Sequence, residues 1–176
     1  QMKQLYSITV RLLFSIYIVF VLVNIVFSHF HISIEELESK YFTENSNYLD
    51  ITIVDDHHST AHLKLHYQDF GDIEDTAVLL LHGAFSSSHS YYFWANELTK
   101  ENFRVIVPDL PFFGLSNGYD DNIASLERSE KVISQLLSHL NIQVVHIAGH
   151  ALGGKIALYY ATENLNSVLS LTIIDT

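Results

Sequence analysis

The chain contains no cysteine. That excludes disulfide frameworks, Cys-ligated zinc, iron–sulfur clusters and thiol nucleophiles, and it leaves the redox compartment open. Two prolines and seven glycines in 176 residues exclude collagen-like and Pro-rich architectures. Charge is also scarce: Asp, Glu, Lys and Arg make up 16% of residues against 48% apolar ones, the opposite of a disordered chain. Basic residues are the scarcest. Residues 1–34 carry only Lys3 and Arg11, and the remainder holds seven bases and all twenty acids, a net charge of −13. An acidic body of this kind repels phosphate backbones, so no nucleic-acid partner is expected, and it does not adhere to anionic lipid by charge.

What is present at the N-terminus belongs to a different solvent. No charged residue occurs from Leu12 to Ile34, and Leu5–Phe27 holds one charge, Arg11. At ~1.5 Å per helical residue this segment spans the ~30 Å hydrocarbon core, with Arg11 close enough to one end to reach the headgroups. A signal anchor is therefore expected over 1–32. A cleaved signal peptide ending near Val26-Phe27-Ser28 and a buried core helix are the alternatives. Lys3 and Arg11 lie toward the segment's N-terminal side, and Glu35, Glu36 and Glu38 follow it. The positive-inside rule then predicts a single-pass membrane protein with its body on the non-cytoplasmic side.

Residues 33–47 are a polar connector, with a short helix over Glu35–Tyr41 and a capping-box pattern in Ser33 and Glu36. The body, 48–176, begins with two alternating runs, Tyr48–Val54 and Ala61–Tyr67, joined by the turn at Asp55-Asp56-His57-His58. Ala77–Leu81, Phe103–Val107, Gln143–Ala148 and Val168–Ile174 read as strands, the first three being apolar runs typical of strands buried on both faces. Helices are expected over 88–99, 121–140 and 151–163, from apolar residues at helical spacing. A hairpin followed by alternating strands and helices predicts a mostly parallel α/β sheet with helices on both faces and ligands at the carboxyl ends of the strands.

The residues after those strands carry the chemistry. Gly149-His150-Ala151-Leu152-Gly153-Gly154 lies between a strand and a helix and resembles the G-x-S-x-G nucleophile elbow of the α/β-hydrolase family. Three further segments resemble the same family, in its order: His66-Tyr67-Gln68-Asp69-Phe70-Gly71, Leu80-Leu81-His82-Gly83, and Pro108–Ser116, in which Phe112 replaces the usual first glycine. Together they cover about residues 60–176. The resemblance implies hydrolysis of esters, amides, epoxides or haloalkanes without a cofactor or metal. It implies an oxyanion hole from the backbone N–H of Leu152 and of Ala84, or Phe85. It also implies a small-molecule ester or lipid-like substrate, and for Asp175 either the triad acid or a loop and helix-capping carboxylate. His82, His150 and Asp109 are expected to be structural.

Two departures qualify that expectation. The elbow's central residue is Ala151, whose methyl cannot attack a carbonyl, so nucleophilic catalysis there is excluded. Ala151 is then an engineered knockout, a natural binding member, or a variant working without a covalent nucleophile. The chain also stops at Thr176, after the sixth strand, where the family continues with more strands and a general-base His; an excerpt of a longer protein is expected. Two decoys remain. Gly149–Lys155 also reads G-x-x-x-x-G-K, but Ile156 stands where a phosphate-binding loop needs Ser or Thr. His57, His58, His62 and His66 suggest a metal, yet no carboxylate partner is evident from spacing. A membrane-tethered binding protein with a dead hydrolase pocket is the runner-up function. Carbonate extraction checks the anchor: the full-length chain should stay with the membrane pellet, and its release into the supernatant would exclude it.

Overall fold

The computed structural model describes the backbone of residues 2–28 and 32–175 and, within the first segment, the side chains of 10–24. The chain divides into two compact units, 1–40 and 41–176. The first contains a long helix, α1 (Met2–Ser28), and most of α2 (Ile34–Tyr41). The Ser33 hydroxyl accepts the Glu36 amide, the capping contact expected from the pattern. The anchor predicted over Leu5–Phe27 lies inside α1, and its two ends extend past the described side chains. Among the described residues no helix is long and apolar enough to cross a membrane.

The second unit is a six-stranded sheet: β1 (Ser46–Val54), β2 (Thr60–Phe70), β3 (Thr76–Leu81), β4 (Phe103–Pro108), β5 (Val145–His150) and β6 (Val168–Ile174). The strand order is β1-β2-β4-β3-β5-β6. The hairpin β1–β2 and the β2–β4 pairing are antiparallel, and β4, β3, β5 and β6 run parallel. β2 begins one residue earlier than its alternation suggested, where Thr60 pairs with Val54, and ends three residues later, because Gln68–Phe70 pair with β4. β5 is shifted two residues toward the C-terminus and so carries Gly149 and His150 up to the turn that follows.

The apolar strands serve two cores. In β3, Ala77, Leu79 and Leu81 face one way and Val78 and Leu80 the other, the period of two expected of a pleated strand. The larger core packs the first set against α4 (Leu126–His139) and α5 (Leu152–Glu163) through Val132, Ile133, Leu136, Ile156 and Tyr160. The smaller core packs the second against α3 (Tyr92–Lys100), around Ala95 and Leu98, after a 3-10 turn at Ser88–Tyr91. The sheet is thus covered on both faces.

α4 begins at Leu126 rather than near 121, and the reason is a charge. Ser125 caps it by accepting the Arg128 amide. The Arg128 side chain, 1% exposed, bonds Asp55 in the β1–β2 turn at 2.8 Å, Asp121 at 2.8 Å and the Ile123 carbonyl at 2.9 Å. Residues 121–123 therefore wrap the guanidinium instead of extending the helix. Arg128, with the Ser59 amide, holds the Asp55 carboxyl below its ordinary range, and Arg128 with the Ile123 amide does the same for Asp121. A carboxyl depressed in the native state stabilises it above its unfolded pKa, about 4, and that stabilisation is lost as pH falls through the native value. Thermal melts should therefore drop between pH 6 and pH 3. The variant Arg128→Met should melt lower than the parent at pH 6 and change less with acid; an equal change in both would refute the coupling.

Candidate active site

The site is built where β5 turns into α5. Ala151 occupies that turn at φ 48° and ψ −111°, a left-handed conformation that a Cβ-bearing residue adopts only under strain. Its amide donates to the Ile174 carbonyl at 3.0 Å, and its carbonyl accepts from Lys155 as α5 starts. The flanking glycines have geometric reasons. A Cβ at Gly149 would collide with the Gly153 backbone, and one at Gly153 with the Leu81 carbonyl. This is the strained strand-to-helix elbow, with a methyl at its tip. The loop after β3 closes on it, since a Cβ on Gly83 would lie 3.4 Å from Ala151 Cβ and 2.8 Å from His150 Nδ1.

Leu152 is the first residue of α5, so its N–H has no acceptor within the helix. Among the described residues, neither that amide nor those of Ala84 and Phe85 donates a hydrogen bond to the protein. Ala84 and Phe85 are exposed and Leu152 is half-buried against the main core. These three free donors lie on the two segments that meet at Ala151, and a helix N-terminus favours negative charge.

His82 fixes the loop that carries two of them. The imidazole is 1% exposed, and its Nε2 accepts the Leu110 amide at 2.9 Å. A backbone N–H can only donate, so Nε2 is bare and Nδ1–H donates to the Gly83 carbonyl at 2.7 Å. Burial holds the imidazole below its ordinary pKa, against the Gly83 carbonyl and the Asp109 carboxylate, which pull it up. Both nitrogens are engaged, which leaves His82 no lone pair for a substrate proton.

Below the loop lies the pair that spacing did not reveal. His66 Nδ1 meets Asp109 Oδ2 at 2.8 Å, with the two side chains 1% and 2% exposed. Asp109 also accepts the amides of Ser88 and Leu115. Burial raises its carboxyl, but the bonds from His66, Ser88 and Leu115 outweigh burial and hold it below its ordinary value. His66 thus does have a carboxylate partner, 43 residues away, and it is structural. The matched His66–Gly71 and Pro108–Ser116 segments were the only sequence signal for it. His62 bonds Thr52, and His57 and His58 lie exposed in the turn. Among the described residues no three His, Asp or Glu side chains form a group able to hold a metal.

Asp175 follows β6 with its side chain 90% exposed, and its Oδ2 lies 3.9 Å from His150 Nε2. His150 lines a cavity of about 710 Å³ on the α3 face of the sheet, together with Val78, Leu80, Tyr91, Trp94 and His146. Ala151 does not line that cavity. Ile156, at the position where a phosphate loop needs a hydroxyl, is buried in the main core, and Lys155 is exposed.

Comparison with known proteins agrees with this geometry. The profile of the alpha/beta hydrolase fold matches residues 76–176. The chain is 37% identical over 95 residues to the magnesium-chelatase 30 kDa subunit of Rhodobacter capsulatus, covering 54% of this chain and 33% of that protein. It is 32% identical over 142 residues to haloalkane dehalogenase of Mycolicibacterium paratuberculosis, covering 79% and 44%. Among solved structures, a study of carboxylesterases from Nitrososphaera gargenis gives a TM-score of 0.62 at 24% identity, over 70% of this chain and 44% of that one. The chain spans less than half the length of these relatives.

Asp109→Asn tests the buried pair. An amide has one acceptor oxygen and presents a donor where His66 or a backbone N–H needs an acceptor. The variant should lose about 2–3 kcal/mol in urea unfolding. A loss below about 0.5 kcal/mol would show that the pair does not organise the loops.

Proposed function

Because the chain belongs to the α/β-hydrolase fold family, we propose that the protein takes small ester or lipid-like molecules at the elbow and that this chain does not hydrolyse them by a covalent route. The observation that carries the reading is Ala151: the strained backbone of a nucleophile elbow is present and its side chain is a methyl. The free amides of Leu152, Ala84 and Phe85 remain able to hold a carbonyl oxygen, since an oxyanion hole is made of main-chain donors that the loss of a nucleophile leaves in place. In this reading the site binds without turning over, and the whole protein supplies any further base from polypeptide outside these 176 residues.

Residues 5–27 tether the protein to a bilayer in the same proposal, with the body on the non-cytoplasmic side. The support is in the sequence: no charge from Leu12 to Ile34, with Lys3 and Arg11 before that stretch and Glu35, Glu36 and Glu38 directly after it. Asp175 serves as the acid only if a base reaches it; in this structure its neighbour is His150.

Ala151→Ser distinguishes the parts. A serine hydroxyl is a weak nucleophile until a base takes its proton. His82 has no free lone pair, and His150 lies against Gly83 on the cavity side. In the 176-residue chain the substitution should give no p-nitrophenyl acetate hydrolysis above the parent and no labelling by a fluorophosphonate. In the whole protein it should give both. Labelling of the short chain would make His150 a base and overturn the reading of the site. Silence in the whole protein would leave binding as the function.

A further inference from the structure

Two aromatic residues on the loops that follow β3 and β4 sit in backbone conformations that bulky side chains avoid. Phe85 has φ 59° and is 99% exposed; Phe112 has φ 73° and is 41% exposed. An exposed phenyl forgoes burial and a left-handed backbone adds strain, so Phe85 is not held there for stability, whereas Phe112 stands edge-on to the buried Tyr119 with centroids 5.6 Å apart. The two loops that carry them meet through rings. Phe85 stands edge-on to Phe113 with centroids 6.2 Å apart, and Phe113 stands edge-on to His82 at 5.8 Å.

Phe113 is a fixed surface. It packs against the main core, and its amide donates to the Leu110 carbonyl at 2.9 Å. The Phe112 amide donates to Asn117 and the Ser116 amide to Phe113, which closes the loop on itself. Phe85 is the outer surface, and it belongs to the segment with the free Ala84 and Phe85 amides. No charged residue occurs from Thr76 to Asn96 or from Leu110 to Tyr119, in a chain with twenty acids. The two loops that carry the rings are therefore uncharged, and one of them also carries the unpartnered Ala84 and Phe85 amides.

Resting on the binding reading above, we infer that Phe85 and Phe113 select the ligand: a neutral carbonyl compound with an aryl or medium alkyl group next to the carbonyl. The carbonyl oxygen takes the free amides, and the apolar group lies against the two rings. Phe85 is the specificity-determining residue because it is exposed and contributes area only when something covers it, whereas Phe113 is already half-covered by the core. Small acetyl compounds reach the amides but not the rings. Compounds with a charge on that group lose hydration against an uncharged face.

The test uses the whole 176-residue chain in lipid nanodiscs, with empty nanodiscs correcting for partition. Methyl acetate, methyl hexanoate and methyl phenylacetate are titrated, with the backbone amides of Ala84, Phe85 and Leu152 followed by NMR. The two larger esters should bind about tenfold more tightly than the acetate. Phe85→Ala, at a position too exposed to affect folding, should bring the affinities of the three esters within about twofold of one another. Phe113→Leu should fall between. An undiminished preference in Phe85→Ala would overturn the selection by these rings. Equal binding of all three esters to the parent, with the amides shifting, would do the same and leave the carbonyl site intact. Absence of any shift at the three amides with every ester would overturn the carbonyl site itself, and with it the selection.

Discussion

The loops around the elbow depend on one buried hydrogen-bonded pair, His66 and Asp109. Asp109, at the carboxyl end of β4, is the point at which three otherwise separate segments are joined: β2 through His66, the loop entering α3 through the Ser88 amide, and the 110–116 loop through Leu115. Ser116 extends the same network, donating to the Asp109 carbonyl and accepting the His66 amide. A carboxylate out of water is tolerated only when its lone pairs are met, and here they are met by groups from three places in the sequence. The Leu110 amide, next in the chain, then reaches His82 and sets the loop that faces the elbow. The positions of the candidate donors near Ala151 thus follow from a pair of side chains that touch no ligand.

The elbow adds a second constraint of the same kind. Its strain is carried by the β5–α5 junction and relieved by glycines at 149 and 153, and a change of side chain at 151 alters neither. The strained turn therefore survives with alanine at its tip. The backbone geometry of the turn depends on neighbours that lack bulk, not on the side chain at its tip.

Arg128 plays a comparable part at the hairpin edge of the sheet, where it joins the β1–β2 turn to α4. It also explains why α4 starts later than apolar spacing predicts. Apolar spacing from Ile123 onward is helical in pattern, yet residues 121–123 surrender their carboxylate and carbonyl to the guanidinium. A buried cation needs its hydrogen bonds met, and that requirement overrides local periodicity. The same type of long-range demand shifted β5 and lengthened β2, since strand ends are set by the partner strand.

By itself the sequence determined the strand and helix order, the two-faced burial of β3, the glycines of the elbow and the methyl side chain at its tip. All of these follow from local pattern or residue identity. Ala77–Leu81 must be buried on both faces, and an alanine has no lone pair wherever it is placed. Only the tertiary structure decided that His66 belongs to Asp109, that His82 is locked with a bare Nε2, that Arg128 ends α4 early, and that Phe85 stands exposed beside Phe113. Each of these joins residues between 5 and 43 positions apart through directional bonds or ring contacts. Most of those separations are longer than any helical or strand repeat, and direction is fixed by the packed sheet rather than by spacing along the chain.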